Sequence, residues 1–500
     1  VIIGKDMMVM DRMAWFDKSA VSDTELRRLR VLLTKTPKRI AEFAMFDDDD
    51  DDKEVALFEE HGRWFGVPRA YWESELRPKM KLREFSRFSD VVAVPNDRLR
   101  LSGLSSDGPY AEQAEMVETI VSYLRDGKGV GGIFRADPGY GKTVVALRAI
   151  AGLKVPTIVV VHKEFLMNQW YRRIQKYLPD AKVGFIQQER AEFVGCDIVI
   201  AMLQSLAQRE YCPELFNSFG LVISDECHRL GSCTWAPVIR KFRSKWRLGL
   251  SATLRRKDGM EDVFRWNIGP VIAQAKVGSK IPSLKRIRTS AKLPSMAKFE
   301  GNSRVAMTDK EQGKSVMTPT VLRYLCKDTA RNAVILEQVY LAATSLNRRK
   351  VIVLSERKES HLHILRGVFE DMCRRGGKDI TTSFYYGGKS ERDLALAERA
   401  QVIFSTFQMV SEALDIEALD MVVLATPVSD VEQAIGRVRR HCLPSEEKCV
   451  LLCPWRAGMC KGKPEPIVLD VMDPLVEKCN SKARWRLALY REIGMLGKCP

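Results

Sequence analysis

The chain has 500 residues, 45% of them apolar and 29% charged, the make-up of ordinary globular protein with apolar mass for more than one core. Length alone suggests roughly three domains, and the lack of any apolar run long enough to span a bilayer excludes a helical membrane protein. With 80 Lys and Arg against 64 Asp and Glu, the net charge is +16, which favours polyanionic partners through counterion release and long-range steering.

The opening VIIGKDMMVMDRMAW is broken by Lys5, Asp6, Asp11 and Arg12 and lacks the apolar core of a signal peptide. Twelve cysteines at irregular spacings, with no secretory segment, predict a reducing, intracellular setting with thiols mostly free. Residues 1–105 read as a separate α+β leader domain. Ser22 to Leu33 predicts a helix capped by Ser22 or Asp23. Asp47 to Asp52 is a run of six acids, read as a solvated loop and not as a metal site. EVALFEEHGRWFGVPRAYW then alternates like a strand pair that stops at Pro68.

From about Asp107 the texture becomes α/β. The apolar runs GGIFRA, TIVVVH, CDIVIAM, GLVISDE and WRLGLSAT are separated by helical patterns such as EFLMNQWYRRIQKYL, which predicts a parallel sheet with crossover helices over 106–275. A stretch rich in Lys, Ser and Pro, 276–328, reads as a connection. A second α/β series follows over 329–500, through KVIVLS, TTSFYYGG, QVIFSTF, DMVVLATP and PIVLDVMD. Within it, the insertion 441–465 holds His441, Cys442, Cys449, Cys453 and Cys460. Thiolate and imidazole suit zinc, but a structural site needs a close cysteine pair at each end, and only Cys449 and Cys453 are that near. These two also flank VLL, a run that suits a strand with buried thiols, so no metal is assigned there.

Four motifs carry chemistry. ADPGYGKT, Ala136 to Thr143, lies between a predicted strand and a predicted helix. Pro138, Gly139, Tyr140 and Gly141 form the turn whose amides face phosphate; Lys142 reaches the outer phosphates and the Thr143 hydroxyl holds magnesium. About eighty residues on, Asp225-Glu226-Cys227-His228 ends a strand. There Asp225 can hold magnesium through water, Glu226 can polarise an attacking water, and His228 can bond across to neighbouring motifs. Ser251-Ala252-Thr253 follows the next strand. Last comes QAIGRVRR, from Gln433, whose Arg437 and Arg440 suit arginine fingers supplied in cis, against the plainer reading of a basic surface helix.

In order and spacing these resemble motifs I, II, III and VI of superfamily 2 helicases. Gln113, 29 residues before Lys142, stands where such helicases place the glutamine that reads adenine. VVVHKEFLMNQW, AMLQSL, VIVLSERKESHL and STFQMVSEALDI, the last including Asp415 of the nucleotide site, resemble motifs Ia, its DNA-contacting successor, IV and V. The finer match, through RLGLSATLRRKDG and LATPVSDVEQAIGRVRR and extending into leader and tail, is to the DEAD/Swi–Snf-like helicases of large nucleocytoplasmic DNA viruses. These are relatives of the XPB-type helicases and the poxvirus transcript-release helicase. Two departures stand out: Ala413 where the family has Gly, which can slow the motor, and Leu254 where Pro usually follows the Ser-Ala-Thr.

The resemblance implies two tandem RecA-like lobes with ATP and magnesium between them, and nucleic acid, DNA rather than RNA, across both. Stepping along one strand would be driven by closure and opening. It also implies a role in viral transcription or genome maintenance, with viral transcription machinery as a partner, no membrane, and a location in the host cytoplasm or virion. Two other readings stay open: a restriction-type translocase subunit, for which no nuclease constellation is seen, and an RNA-sensing or scaffold ATPase, for which no signalling module is seen.

Overall fold

A computed structural model describes residues 7–38, 54–88, 95–104, 111–127, 129, 131–137, 140–254, 256, 258–275, 281–293, 297–300, 303–306, 318–345, 348–412, 416, 418–429, 431–438 and 464–496. The acidic run 47–52 and most of the cysteine-bearing insertion lie outside the described residues, as do Pro138, Gly139, Asp415 and Arg440. The chain divides into two units, Val1–Val277 and Gly278–Pro500.

The leader builds a five-stranded sheet in the order Glu59–His61, Trp64–Val67, Ala14–Asp17, Met7–Met10, Arg83–Ser86. Its first two strands form the hairpin expected before Pro68. Helix Asp23–Leu33 starts where its sequence says it should: the Ser22 hydroxyl accepts from the Glu25 amide, and Leu26, Leu29 and Leu33 face inward. The leader core (Met8, Phe16, Phe65, Trp72) also contains Ala236, Met260 and Val263 from beyond residue 106. Two buried guanidinium groups cross this seam. Arg69 donates to the carbonyls of Ser244 (2.7 Å) and Lys245, and Arg247 donates to those of Arg12 and Asn267, both at 2.7 Å. Burial pushes Arg69 down to about 10. Carbonyl acceptors offset the loss of water around these cations.

The second part of this unit is an eight-stranded sheet in the order Arg190–Ala191, Val183–Gln187, Ile198–Met202, Thr157–Val161, Leu221–Asp225, Trp246–Ser251, Gly131–Ala136, Val271–Ala275. Every pairing is parallel except that of the short first strand. Cores lie on both faces. Helices Lys142–Leu153 and Glu164–Tyr177 cover one through Ile150, Trp170 and Ile174, and Phe264 and Ile268 of Glu261–Ile268 help cover the other. A parallel sheet needs both covers, which is why its strands read as unbroken apolar runs.

The second unit holds a six-stranded, all-parallel sheet in the order Ser283–Arg288, Ile467–Met472, Met421–Leu424, Val351–Ser355, Val402–Thr406, Thr382–Tyr385. The fold is therefore α/β, with tandem RecA-like sheets and a small leader sheet. Strand Ser283–Arg288 lies inside the stretch 276–328 that reads as a connection from sequence. As an edge strand with mostly exposed side chains, SLKRIR needs little apolar character.

At the ends of strands Ser283–Arg288 and Ile467–Met472, Arg331 and Asp473 form a bidentate pair at 2.7 and 3.0 Å with both side chains fully buried, and the Thr289 hydroxyl adds a 2.6 Å bond to Asp473. Asp473→Ala strands the guanidinium in the core. It is expected to cost about 3–5 kcal/mol of unfolding free energy in denaturant titration; a loss under about 1 kcal/mol would show that the site relaxes or admits water.

Candidate nucleotide site

The phosphate loop leaves the C-terminal end of Gly131–Ala136 and enters helix Lys142–Leu153 at Gly141, whose φ of 99° and ψ of 33° are left-handed. A Cβ there would stand 2.9 Å from Gln113 Nε2, the end of a side chain that would have to shift, while the left-handed backbone itself calls for glycine. The first amides of the helix have no intrahelical acceptors and, with its positive end, suit an anion. Lys142 Nζ rests 3.2 Å from the Ala136 carbonyl and 3.9 Å from Glu226 Oε1. Thr143 is buried beside it on the first turn.

Gln113 donates through Nε2 to the Tyr140 carbonyl at 2.7 Å, and its Oε1 is buried without a partner. The amide is thus oriented with a spare acceptor. The Tyr140 ring meets Phe134 edge-on at 6.0 Å, which anchors the loop to the strand beneath.

The two acids sit at the end of Leu221–Asp225, with Trp246–Ser251 between that strand and the strand that feeds the phosphate loop. Asp225 Oδ2 accepts from the indole N–H of Trp170 at 2.8 Å, and Oδ1 accepts from the Glu226 amide at 3.1 Å. Burial, and then the neighbouring Glu226, push the Asp225 carboxyl up to about 6. Glu226 holds φ 49° and ψ 55°, rare for a residue with a side chain. Such a conformation costs on the order of 1 kcal/mol or more. It places the carboxylate between Lys142 and His228, with Oε2 buried, lacking a hydrogen bond and 3.4 Å from His228 Nδ1.

His228 Nδ1 lies 3.0 Å from Ser251 Oγ, whose hydroxyl donates to the Thr253 carbonyl. That leaves Ser251 Oγ as the acceptor and assigns the proton to Nδ1. The Arg256 guanidinium holds the His228 carbonyl at 2.8 Å. Leu254, where the family has proline, is buried in the core under the sheet.

Sequence reasoning did not single out Trp170 or His162. His162 is buried; burial, and then the charges of Arg229, Lys163 and His228, depress it to about 3. Its carbonyl accepts from Gln204 Nε2 at 2.8 Å, joining VVVHKEFLMNQW to AMLQSL. The signal for both lay inside quoted motifs, but only the fold shows what each touches.

The first unit thus brings together Gln113, Tyr140, Gly141, Lys142, Thr143, Asp225, Glu226 and His228. In the second unit Gln433 and Arg437 share one face of helix Glu432–Val438, half-buried, while Ala434, Ile435 and Val438 face inward. Arg437 Nε donates to the Val410 carbonyl at 2.8 Å.

Residues 107–256 match the family model described as "Type III restriction enzyme, res subunit". A mimivirus protein (Acanthamoeba polyphaga mimivirus) named as an ATP-dependent RNA helicase is 28% identical over 91% of this chain and 80% of its own length. An African swine fever virus protein (isolate Pig/Kenya/KEN-50/1950), also named as an ATP-dependent RNA helicase, is 25% identical over 83% of this chain and 80% of its own. The "DNA 3'-5' translocase XPB2" of Sulfurisphaera tokodaii is 35% identical over 32% of this chain and 35% of its own. With relatives of this kind along most of its length, the chain is a nucleic-acid-dependent ATPase of the superfamily 2 helicase class, similar to the helicases of large DNA viruses.

Proposed function

We propose that the chain is an ATP-dependent DNA helicase or translocase that moves along nucleic acid in viral transcription or genome maintenance. The observation that carries the ATPase part of this reading is the convergence of one amine, two carboxylates and an imidazole at the C-terminal ends of three adjacent parallel strands. In such sheets ligands bind at strand C-termini.

In this reading Lys142 and the loop amides hold the phosphates. The spare Gln113 oxygen accepts from the amino group of adenine. Glu226 takes the proton of the attacking water, held in place by Lys142 and His228. The donors also suit magnesium: the Thr143 hydroxyl is a hard oxygen ligand and the Asp225 carboxylate can accept from a magnesium-bound water, a set small enough to leave places for further water and phosphate. Magnesium, when bound with ATP, would neutralise phosphate charge there. His228 links the acids to Ser251 and thereby to the segment that follows the next strand.

The names of the relatives point to both nucleic acids, RNA for the two viral proteins and DNA for the archaeal one. The net charge of +16 supports a polyanion track of either kind. DNA is preferred here on the resemblance to XPB-type helicases. ATPase rates with duplex DNA, single-stranded DNA and RNA, combined with strand displacement on tailed duplexes, test this. Stimulation by RNA alone would replace the DNA reading with an RNA-dependent one. The same tailed substrates test polarity. Movement 3′ to 5′ is expected, and unwinding solely from a 5′ overhang would overturn it.

A further inference from the structure

Trp170 lies on the inner face of helix Glu164–Tyr177, fully buried in the core that also contains Ile150, Val159 and Ile223. An apolar residue would fill that place. The indole differs in one respect: its single N–H donates to Asp225 Oδ2 at 2.8 Å across 55 residues of sequence. The other oxygen of Asp225 accepts from the Glu226 amide at 3.1 Å. The carboxylate is therefore gripped at both oxygens, by a rigid side chain set in the core and by the backbone of the turn. It cannot rotate about its terminal bond without losing one of these bonds. No acid or base chemistry attaches to the indole, which is a donor only.

We propose that Trp170 is a positioning residue that fixes the rotamer of Asp225, and through it the affinity of the site for the divalent cation that accompanies ATP. This rests on the reading of Asp225 given above. Outer-shell groups that orient a metal site typically change metal affinity ten- to a hundredfold when removed, and an unrestrained carboxylate must be ordered when the cation and its water bind. The grip also ties helix Glu164–Tyr177, which begins just after His162 and Lys163, to the nucleotide site. The helix carrying the EFLMNQW part of VVVHKEFLMNQW therefore has a direct polar contact with the acid expected to meet the cation.

The test measures equilibrium binding of a fluorescent, non-hydrolysable ATP analogue to the full chain, with magnesium titrated in and with magnesium chelated away. Asp225→Asn tests the underlying reading and Trp170→Phe tests the inference. Asp225→Asn should abolish the gain in nucleotide affinity that magnesium gives. Trp170→Phe should raise the half-saturating magnesium concentration by roughly ten- to a hundredfold while leaving metal-free nucleotide affinity within about twofold. Because phenylalanine leaves a void, benzothienylalanine placed at position 170 serves as a second variant. It keeps the bicyclic shape and replaces the N–H with sulfur, and it should reproduce the magnesium shift with the thermal midpoint of the wild type. If Asp225→Asn leaves the magnesium gain intact, both the metal reading and this inference are overturned. If Asp225→Asn abolishes the gain but the benzothienyl variant titrates magnesium like the wild type, the inference alone fails and Trp170 is packing. Equal loss of affinity with and without magnesium in that variant overturns it as well.

Discussion

Glu226→Gln is expected to lower ATP turnover by about a thousandfold or more while retaining a tight nucleotide complex, and Lys142→Ala to lose both turnover and affinity. The first substitution is nearly isosteric. Gln at φ 49° carries the same backbone strain as Glu, so the turn is not relieved by the change. What disappears is the basic oxygen and its charge opposite Lys142, 3.9 Å away. A thousandfold corresponds to about 4 kcal/mol of barrier. The 3.9 Å ion pair with its partly exposed partners would account for about 1 kcal/mol at most, so a loss of that size belongs to the chemistry. Lys142→Ala acts differently. It leaves Glu226 without the ammonium 3.9 Å away and removes the amine placed to meet phosphate, so binding falls with turnover. Steady-state turnover together with retention of a fluorescent nucleotide separates the two. Wild-type turnover in Glu226→Gln would show that the base is another group.

What the sequence disclosed and what it did not follow a physical divide. The phosphate loop is local: its residues are consecutive, and the left-handed turn at Gly141 is written in the residue type. The core strands of both sheets were legible because a parallel sheet covered on both faces demands apolar runs. Strand Ser283–Arg288 was not, because an edge strand with exposed side chains carries no such demand. Spatial order was also hidden. Nothing in the sequence says that Trp246–Ser251 lies between the loop strand and the acid strand, although that order is what brings Ser251 within 3.0 Å of His228. Trp170 was quoted inside a motif and given no role of its own, because the direction of its N–H depends on a strand that ends 55 residues away. Arg69 and Arg247 show the same limit. As sequence they are two more basic residues, and as structure they are buried cations that join the leader to the first sheet.

Arg437→Ala is expected to cut nucleic-acid-stimulated hydrolysis by roughly a hundredfold or more while leaving nucleic-acid affinity within about threefold, and Arg440→Ala to behave alike. Helix Glu432–Val438 is held by Ala434, Ile435 and Val438 on its buried face, so Arg437 is carried on a rigid mount. Its Nε is committed to the Val410 carbonyl at 2.8 Å, in helix Phe407–Glu412 within STFQMVSEALDI. A guanidinium fixed at one nitrogen is a planar fork with its orientation set in advance, which suits paired contacts to phosphate oxygens and adds little to a diffuse field. Loss of the Val410 bond costs about 1 kcal/mol, whereas a hundredfold in rate is about 2.7 kcal/mol. The fall in turnover should therefore exceed what loosening the helix explains. Arg437→Lys sharpens the test because it keeps the charge and discards the fork. If Lys restores turnover to near the wild type, charge alone suffices and the planar contact is dispensable. If Arg437→Ala instead loses nucleic-acid affinity with turnover per bound complex unchanged, the helix is a phosphate-backbone surface and the catalytic assignment fails. Paired measurements of hydrolysis at saturating DNA and of DNA affinity by fluorescence anisotropy distinguish these cases.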